Sequence, residues 1–123
     1  MKITAILHAT FLVQDLTRAR DFYERVLGLH LDERRHDMGF PGVWYDVGAQ
    51  QIHLMQLPNP EVGLQRPANG GRDRHVAVAI DDLDALMQKL DAATVKYNIS
   101  KSGRRALFCR DPDDNALEFI ESQ

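Results

Sequence analysis

Three histidines and a glutamate stand at matched places in two halves of this 123-residue chain. His8 and His75 each open an apolar, strand-like stretch, and His53 and Glu118 each sit in one near the end of its half. Imidazole binds metals and exchanges a proton close to neutral pH, and a carboxylate is its common partner in acid–base chemistry. Aligning His8 with His75 gives an offset of 67 residues (75 − 8), which also pairs Phe11 with Val78, Val13 with Ile80, Asp15 with Asp82 and Leu16 with Leu83. Gln51-Ile52-His53-Leu54-Met55 resembles Ala116-Leu117-Glu118-Phe119-Ile120 at an offset of 65 (118 − 53). Self-similarity at a long, fixed offset marks two copies of one module.

The elements that must position these residues follow from periodicity. Residues 3–13 alternate as a strand, with Leu7, Ala9, Phe11 and Val13 on one face and His8, Thr10 and Leu12 on the other. A helix is expected over 16–27, capped by Asp15 or Thr17, with Leu16, Ala19, Phe22, Tyr23, Val26 and Leu27 inward and Gly28 ending it. A strand over 29–35, a turn-rich loop over 37–42, and a hairpin of 43–47 and 50–57 turned at Gly48-Ala49 complete the first module. Residues 58–73, rich in proline and glycine, read as a linker between module 1 (1–57) and module 2 (74–123). The second module repeats the plan, with a strand over 75–80, a helix over 83–92 with Leu83, Leu86, Met87 and Leu90 inward, and strands over 95–99, 105–110 and 116–121.

Composition excludes several classes. The chain is long enough for a real core, and 44% hydrophobic with 27% charged residues is ordinary for a globular domain. A formal charge of −3 with dispersed basic residues is no nucleic-acid footprint. No stretch approaches the roughly 20 apolar residues of a membrane helix, and the start of the chain shows no signal-peptide pattern. The single cysteine, Cys109, rules out an internal disulfide and reads as a small buried residue. The expectation is a cytoplasmic protein that meets neither nucleic acid nor membrane.

Strand, helix and three strands, twice over, together with Asp15-Leu16-Thr17-Arg18-Ala19-Arg20-Asp21-Phe22-Tyr23, Leu27-Gly28-Leu29, the strand His75–Ile80 and the ending Asp111-Pro112-Asp113-Asp114-Asn115-Ala116-Leu117-Glu118, resembles the vicinal oxygen chelate superfamily. That superfamily includes glyoxalase I, the bleomycin and fosfomycin resistance proteins, methylmalonyl-CoA epimerase and extradiol dioxygenases. The resemblance spans essentially the whole chain. It implies an α+β fold in which two βαβββ modules form a cup-shaped curved sheet with the helices outside. Asp114 stands where relatives usually carry glycine, a turn position that Asp tolerates better than most residues.

Carried over residue by residue, the family's metal ligands fall on His8, His53, His75 and Glu118. Strand alternation agrees, since each lies opposite its strand's apolar, helix-facing residues. Three imidazoles and a carboxylate suit Zn, Ni, Co, Mn or Fe(II) and leave one or two positions for water or substrate. Thr10, Met55, Arg105 and Leu107 are expected on the same face, with Arg105 placed to hold an anionic group and Trp44 to wall a pocket, while Tyr45, matched to Phe108 across the repeat, reads as core. The resemblance implies a metal-dependent glyoxalase-like lyase or isomerase acting on a small oxygenated substrate, with Glu118 as base, and a homodimer. A glyoxalase I would carry glutamate where this chain has His53, and a fosfomycin transferase a Ser-Glu-Gly loop where it has Ser100-Lys101-Ser102-Gly103. An Fe(II) ring-cleaving dioxygenase using His8, His75 and Glu118, and a non-catalytic small-molecule or antibiotic-binding resistance protein, are the alternatives.

Overall fold

A computed structural model describes residues 1–122. The chain divides into two compact units, Met1–Pro60 and Glu61–Gln123, each built to the same plan. The first holds β1 (His8–Val13), α1 (Leu16–Arg20) running on into a π-helical segment (Asp21–Val26), β2 (His30–Asp32), β3 (Gly42–Val47) and β4 (Gln50–Gln56). The second holds a 3₁₀ turn (Gly70–Arg72), β5 (His75–Ile80), α2 (Leu83–Ala92), β6 (Tyr97–Ile99), β7 (Ala106–Arg110) and β8 (Ala116–Glu121). The fold class is α+β, two βαβββ units.

Strand order is β1-β4-β3-β2 in one sheet and β5-β8-β7-β6 in the other. β1 pairs with β4 and β5 with β8 in parallel, and the remaining neighbours are antiparallel. Each unit's first and second strands are therefore its two edges, joined by the helix. One face of the first sheet, with Val13, Val43, Tyr45, Ile52 and Leu54, is buried, as are Ala19, Phe22, Tyr23 and Val26 of the helix. In the second unit Leu107, Cys109, Leu117 and Phe119 are buried with Leu83, Leu86 and Leu90 of α2.

Helix entry is held the same way twice. Asp15 accepts from Arg18 N and Asp82 from Ala85 N, as N-caps do. The last strand adds a second acceptor: Gln56 Oε1 takes Leu16 N–H at 2.8 Å, and Glu121 Oε1 takes Leu83 N–H at 3.0 Å. The helix expected over 16–27 is only α-helical to Arg20, and Leu27 N bonds five residues back to Phe22 O. The π segment turns Tyr23 to stack on Tyr45 (5.9 Å between ring centres) and brings Glu24 to the Tyr45 hydroxyl, which donates to it at 2.8 Å. Gly28 and Asp114 take positive φ, 73° and 67°, at the two turns where left-handed backbone was expected.

Other expectations shift. Residues 3–7 are not part of β1, and Ile3, Ile6 and Leu7 are exposed. Within the connecting stretch 58–73, Arg66 pairs with Glu61 and Asp73, and Arg110 donates to Pro67 O at 2.7 Å. Among the described residues no helix is long and apolar enough to cross a membrane.

Two stability predictions follow from this packing. Leu54→Ala, which empties a fully buried site, lowers the unfolding free energy by about 2–5 kcal/mol in urea titrations. Glu24 is held below its ordinary range chiefly by hydrogen bonds from Arg20, so its contribution is present above the unfolded-state value of about 4.3 and is lost as pH falls through the lower folded value. The stability gap between wild type and Glu24→Gln therefore closes on acidification, and a gap independent of pH would contradict this.

Candidate functional site

In the first unit the open face of the sheet carries His8, Thr10 and Leu12 from β1, Gln51, His53 and Met55 from β4, Trp44 and Asp46 from β3, and Asp32 from β2. The parallel register sets Thr10 beside His53 and His8 beside Gln51. The two imidazoles meet on the diagonal, stacked with ring centres 4.0 Å apart and planes 13° from parallel. Trp44, opposite His53 on β3, stacks against the same ring at 4.8 Å and 14°. His53 thus belongs to a His8–His53–Trp44 stack.

Hydrogen bonding fixes which nitrogen of His53 carries the proton. The Gln51 amide NH₂ donates to Asp32 Oδ2 at 2.7 Å and Asp46 Oδ1 at 3.0 Å, which only the nitrogen end can do. Its carbonyl oxygen therefore faces His53 Nε2, 2.8 Å away, and must accept from it. Nε2 is the N–H and Nδ1 keeps the lone pair. Burial lowers the His53 pKa, helped by the neighbouring His8 and Arg35, so the ring is neutral at pH 7 and able to act as a ligand. Asp32 is kept ionised, far below the usual carboxylate range, first of all by hydrogen bonds from the Arg34 side chain. A cleft of about 410 Å³ opens beside His8, walled by Trp44, Asp32 and Asp46.

The second unit repeats the diagonal with different chemistry. Ala77 of β5 is paired with Glu118 of β8, and His75 with Ala116. His75 Nδ1 lies 2.9 Å from Asp73 O, which can only accept, so Nδ1 carries the proton. The Nε2 lone pair then faces Glu118 Oε1 at 3.3 Å. A lone pair against a carboxylate oxygen is repulsive unless a proton or a metal cation lies between them, and a neutral imidazole nitrogen with a carboxylate is a donor set that divalent metals accept. The side chain of Glu118 is only 7% exposed. Phe108 is paired with Glu118 as Trp44 is with His53, and its ring meets His75 edge-on at 5.4 Å. A Cβ on Gly71 would come within 2.9 Å of that ring, so glycine lets the 3₁₀ turn close over it.

The four expected ligands are thus brought together as two pairs, His8 with His53 and His75 with Glu118. Among the described residues no group of three or more His, Cys, Asp or Glu side chains is close enough to hold a metal ion on its own. Thr10, Met55 and Trp44 lie on the open face as expected. Arg105 and Leu107 do not: Leu107 is fully buried opposite Phe119, and Arg105 donates to Glu121 at 2.7 Å and to Asp84 of α2 at 3.0 Å. Trp44, rather than Tyr45, is the repeat partner of Phe108, and Tyr45 faces the core. The guanidinium on the open face of the second unit is that of Arg104, with Nη2 3.4 Å from Glu118 Oε2. Arg35, which also escaped the sequence reading, lies over Gly42 in the first unit. Burial pushes the Cys109 thiol up to about 12, consistent with an inert core residue.

Residues 5–119 match the family described as the Glyoxalase/Bleomycin resistance protein/Dioxygenase superfamily. The chain is 30% identical to a lactoylglutathione lyase of Haemophilus influenzae, over 96% of this chain and 93% of that one. It is 25% identical to "Glyoxylase I 4" of Arabidopsis thaliana over 97% of this chain and 71% of the relative. Among solved structures, a glyoxalase family protein from Bacillus anthracis superposes with a TM-score of 0.78 at 22% identity, covering 100% of this chain and 98% of that one. A point mutant of the fosfomycin resistance protein FosX of Listeria monocytogenes, solved with Mn(II) and 1S,2S-dihydroxypropylphosphonic acid, gives 0.78 at 16% identity, covering 99% of this chain and 95% of that one.

The tautomer assignment has a direct readout. In ¹⁵N spectra of the metal-free protein, His53 shows the Nε2–H form and titrates below the ordinary histidine value of about 6.5. Gln51→Met, which removes the acceptor, lets the Nδ1–H form appear. An unchanged tautomer in the variant would refute the assignment.

Proposed function

The chain belongs to the glyoxalase/bleomycin resistance protein/dioxygenase superfamily, and from that premise we propose that it is a divalent-metal-dependent, glyoxalase-like enzyme of the lyase or isomerase type, acting on a small oxygenated substrate. His8, His53, His75 and Glu118 are the ligand set in this reading, and Glu118 is also the base. The observation that carries it is the His75–Glu118 contact, where the anchoring of Nδ1 on Asp73 O leaves Nε2 facing a carboxylate oxygen at 3.3 Å. The lyase named among the relatives, and the Mn(II) in the FosX structure, support the same class of chemistry. Bound at this set, the cation supplies Lewis acidity, polarising a substrate oxygen.

The remaining work falls to the chain's own groups. Glu118 is the one carboxylate in the ligand set, so abstraction and return of a substrate proton are assigned to it. His75 and Arg104 each stand against one of its oxygens. Phe108 and Trp44 provide apolar walls that limit water beside the pairs. Asp73 O and Gln51 Oε1 hold the imidazoles in fixed tautomers, the office of outer partners at metal sites.

A homodimer belongs to this reading. Ile3, Ile6 and Leu7 are exposed beside the edge strand β1, an apolar strip of the sort that pairing covers. In sedimentation velocity the wild type runs as a dimer and Ile6→Lys as a monomer, and a monomeric wild type would remove this part of the reading.

Elemental analysis of untagged protein purified without chelators tests the metal. The expected result is about one equivalent of a divalent metal per chain, lost in His75→Ala. Metal-free protein that takes up none of the candidate ions would leave a small-molecule binder as the better reading. Isolation with iron and oxygen-dependent turnover would move the assignment to a dioxygenase.

A further inference from the structure

Glu118 touches two groups, and only one of them is firmly placed. His75 is anchored through Nδ1 at 2.9 Å. Arg104 is held by nothing shorter than 3.4 Å: Nη2 to Glu118 Oε2, and both Nε and the backbone N to Ser102 Oγ. Well-made N–H···O bonds run at about 2.7–3.2 Å. The chain's structural arginines meet that standard. Arg105 bonds at 2.7 and 3.0 Å, and Arg110 donates at 2.9 Å to Asp73, 2.8 Å to Asp114 O and 2.7 Å to Pro67 O. Arg35, in the equivalent loop of the first unit, is committed to Phe40 O at 3.0 Å and to the Phe40 ring. Arg104 instead keeps Nη1 without a partner among the described residues, on a side chain 59% exposed. It is a guanidinium parked beside a buried carboxylate with donors to spare.

Charge gives those donors a purpose. Glu118 brings one negative charge to this corner of the sheet and Arg104 one positive charge against it. A divalent cation taken up beside Glu118 leaves a surplus of positive charge that a small anion offsets. Reach narrows the anion further. Arg104 and His75 approach opposite oxygens of one carboxylate, so a group gripped by Arg104 stands within a bond or two of the substrate atoms that meet Glu118. A charged group on a long arm does not meet that condition, whereas a carboxylate adjacent to a hydroxyl or carbonyl carbon does. The planar fork of a guanidinium also matches a carboxylate edge.

We propose that Arg104 is a specificity-determining residue that grips the carboxylate of a small 2-hydroxy or 2-oxo acid, the substrate class of the site around Glu118. The assignment rests on the metal-dependent reading given above, and the test separates the two. Oxalate, the smallest dianion with vicinal oxygens, and its neutral analogue oxamide are titrated calorimetrically into Mn(II)-loaded wild type, Arg104→Met and Arg104→Lys, with Mn(II) affinity measured separately for each. Loss of a charged hydrogen-bonding partner predicts oxalate binding weaker by about 10- to 100-fold in Arg104→Met. Arg104→Lys falls between and oxamide is indifferent to the substitution, all compared at saturating Mn(II) so that a change in metal affinity does not enter. Equal oxalate affinity in wild type and Arg104→Met, with Mn(II) bound by both, overturns the assignment of Arg104 and leaves the metal reading standing. Failure of the wild type to bind Mn(II) or any other divalent ion overturns the metal reading, and this assignment with it.

Discussion

One parallel strand pair in each unit, β1 with β4 and β5 with β8, decides which side chains can meet on the open face. The pairing sets His8 and His53 on a diagonal, and the same diagonal brings His75 to Glu118. A strand has period two, so a slip of one residue would carry His53 to the helix side and Leu54 to the open side. Leu54 and Leu117 are almost wholly buried against their helices, and exposing either forfeits about 1.5–3 kcal/mol of apolar burial. The register of the polar face is thus enforced from the apolar one. Chemistry and stability sit on opposite sides of the same strands.

Register brings side chains together, and hydrogen bonds then give them a protonation state. His53 is neutral with its proton on Nε2 because Gln51 presents an oxygen there, and Gln51 is oriented because Asp32 and Asp46 claim its nitrogen. Asp32 is in turn kept ionised by Arg34. On the other side the backbone does the same work more cheaply, Asp73 O taking the Nδ1 proton of His75. The Asp73 side chain is pinned by Arg110 and Arg66, which keeps that carbonyl in place.

How far this was legible depends on the local signal. Clean alternation made the β1, β4, β5 and β8 faces readable, and with them His8, His53, His75 and Glu118. Turn chemistry identified Gly28 and Asp114. β7 failed because Ala106-Leu107-Phe108-Cys109 is apolar without a break, so its parity has no sequence signature. The parity is set by tertiary partners instead, Arg105 being drawn to Asp84 and Glu121, which leaves Arg104 and Phe108 for the open face. The residues before His8 alternate like a strand, yet alternation supplies no partner, and β1 begins only at His8. The π segment was invisible for a related reason, since helical spacing over two turns hardly distinguishes it from an α-helix. Proline and glycine in 58–73 marked a linker, and within it Gly71 lets backbone approach the Phe108 ring, a packing role that composition does not reveal.

The two units keep one geometry and divide the chemistry. At the position paired with the aromatic residue of the third strand, the first unit carries an imidazole and the second a carboxylate. Two stacked imidazoles make a poor proton store, because charging one disfavours charging the other, and His8 is among the groups that lower the His53 value. In the second unit the carboxylate of Glu118 stands between an imidazole and a guanidinium, 3.3 Å from His75 Nε2 and 3.4 Å from Arg104 Nη2. Histidine at position 53 therefore leaves the first unit's diagonal pair without a carboxylate. In the proposed enzyme that leaves proton transfer to Glu118, with Arg104 beside it.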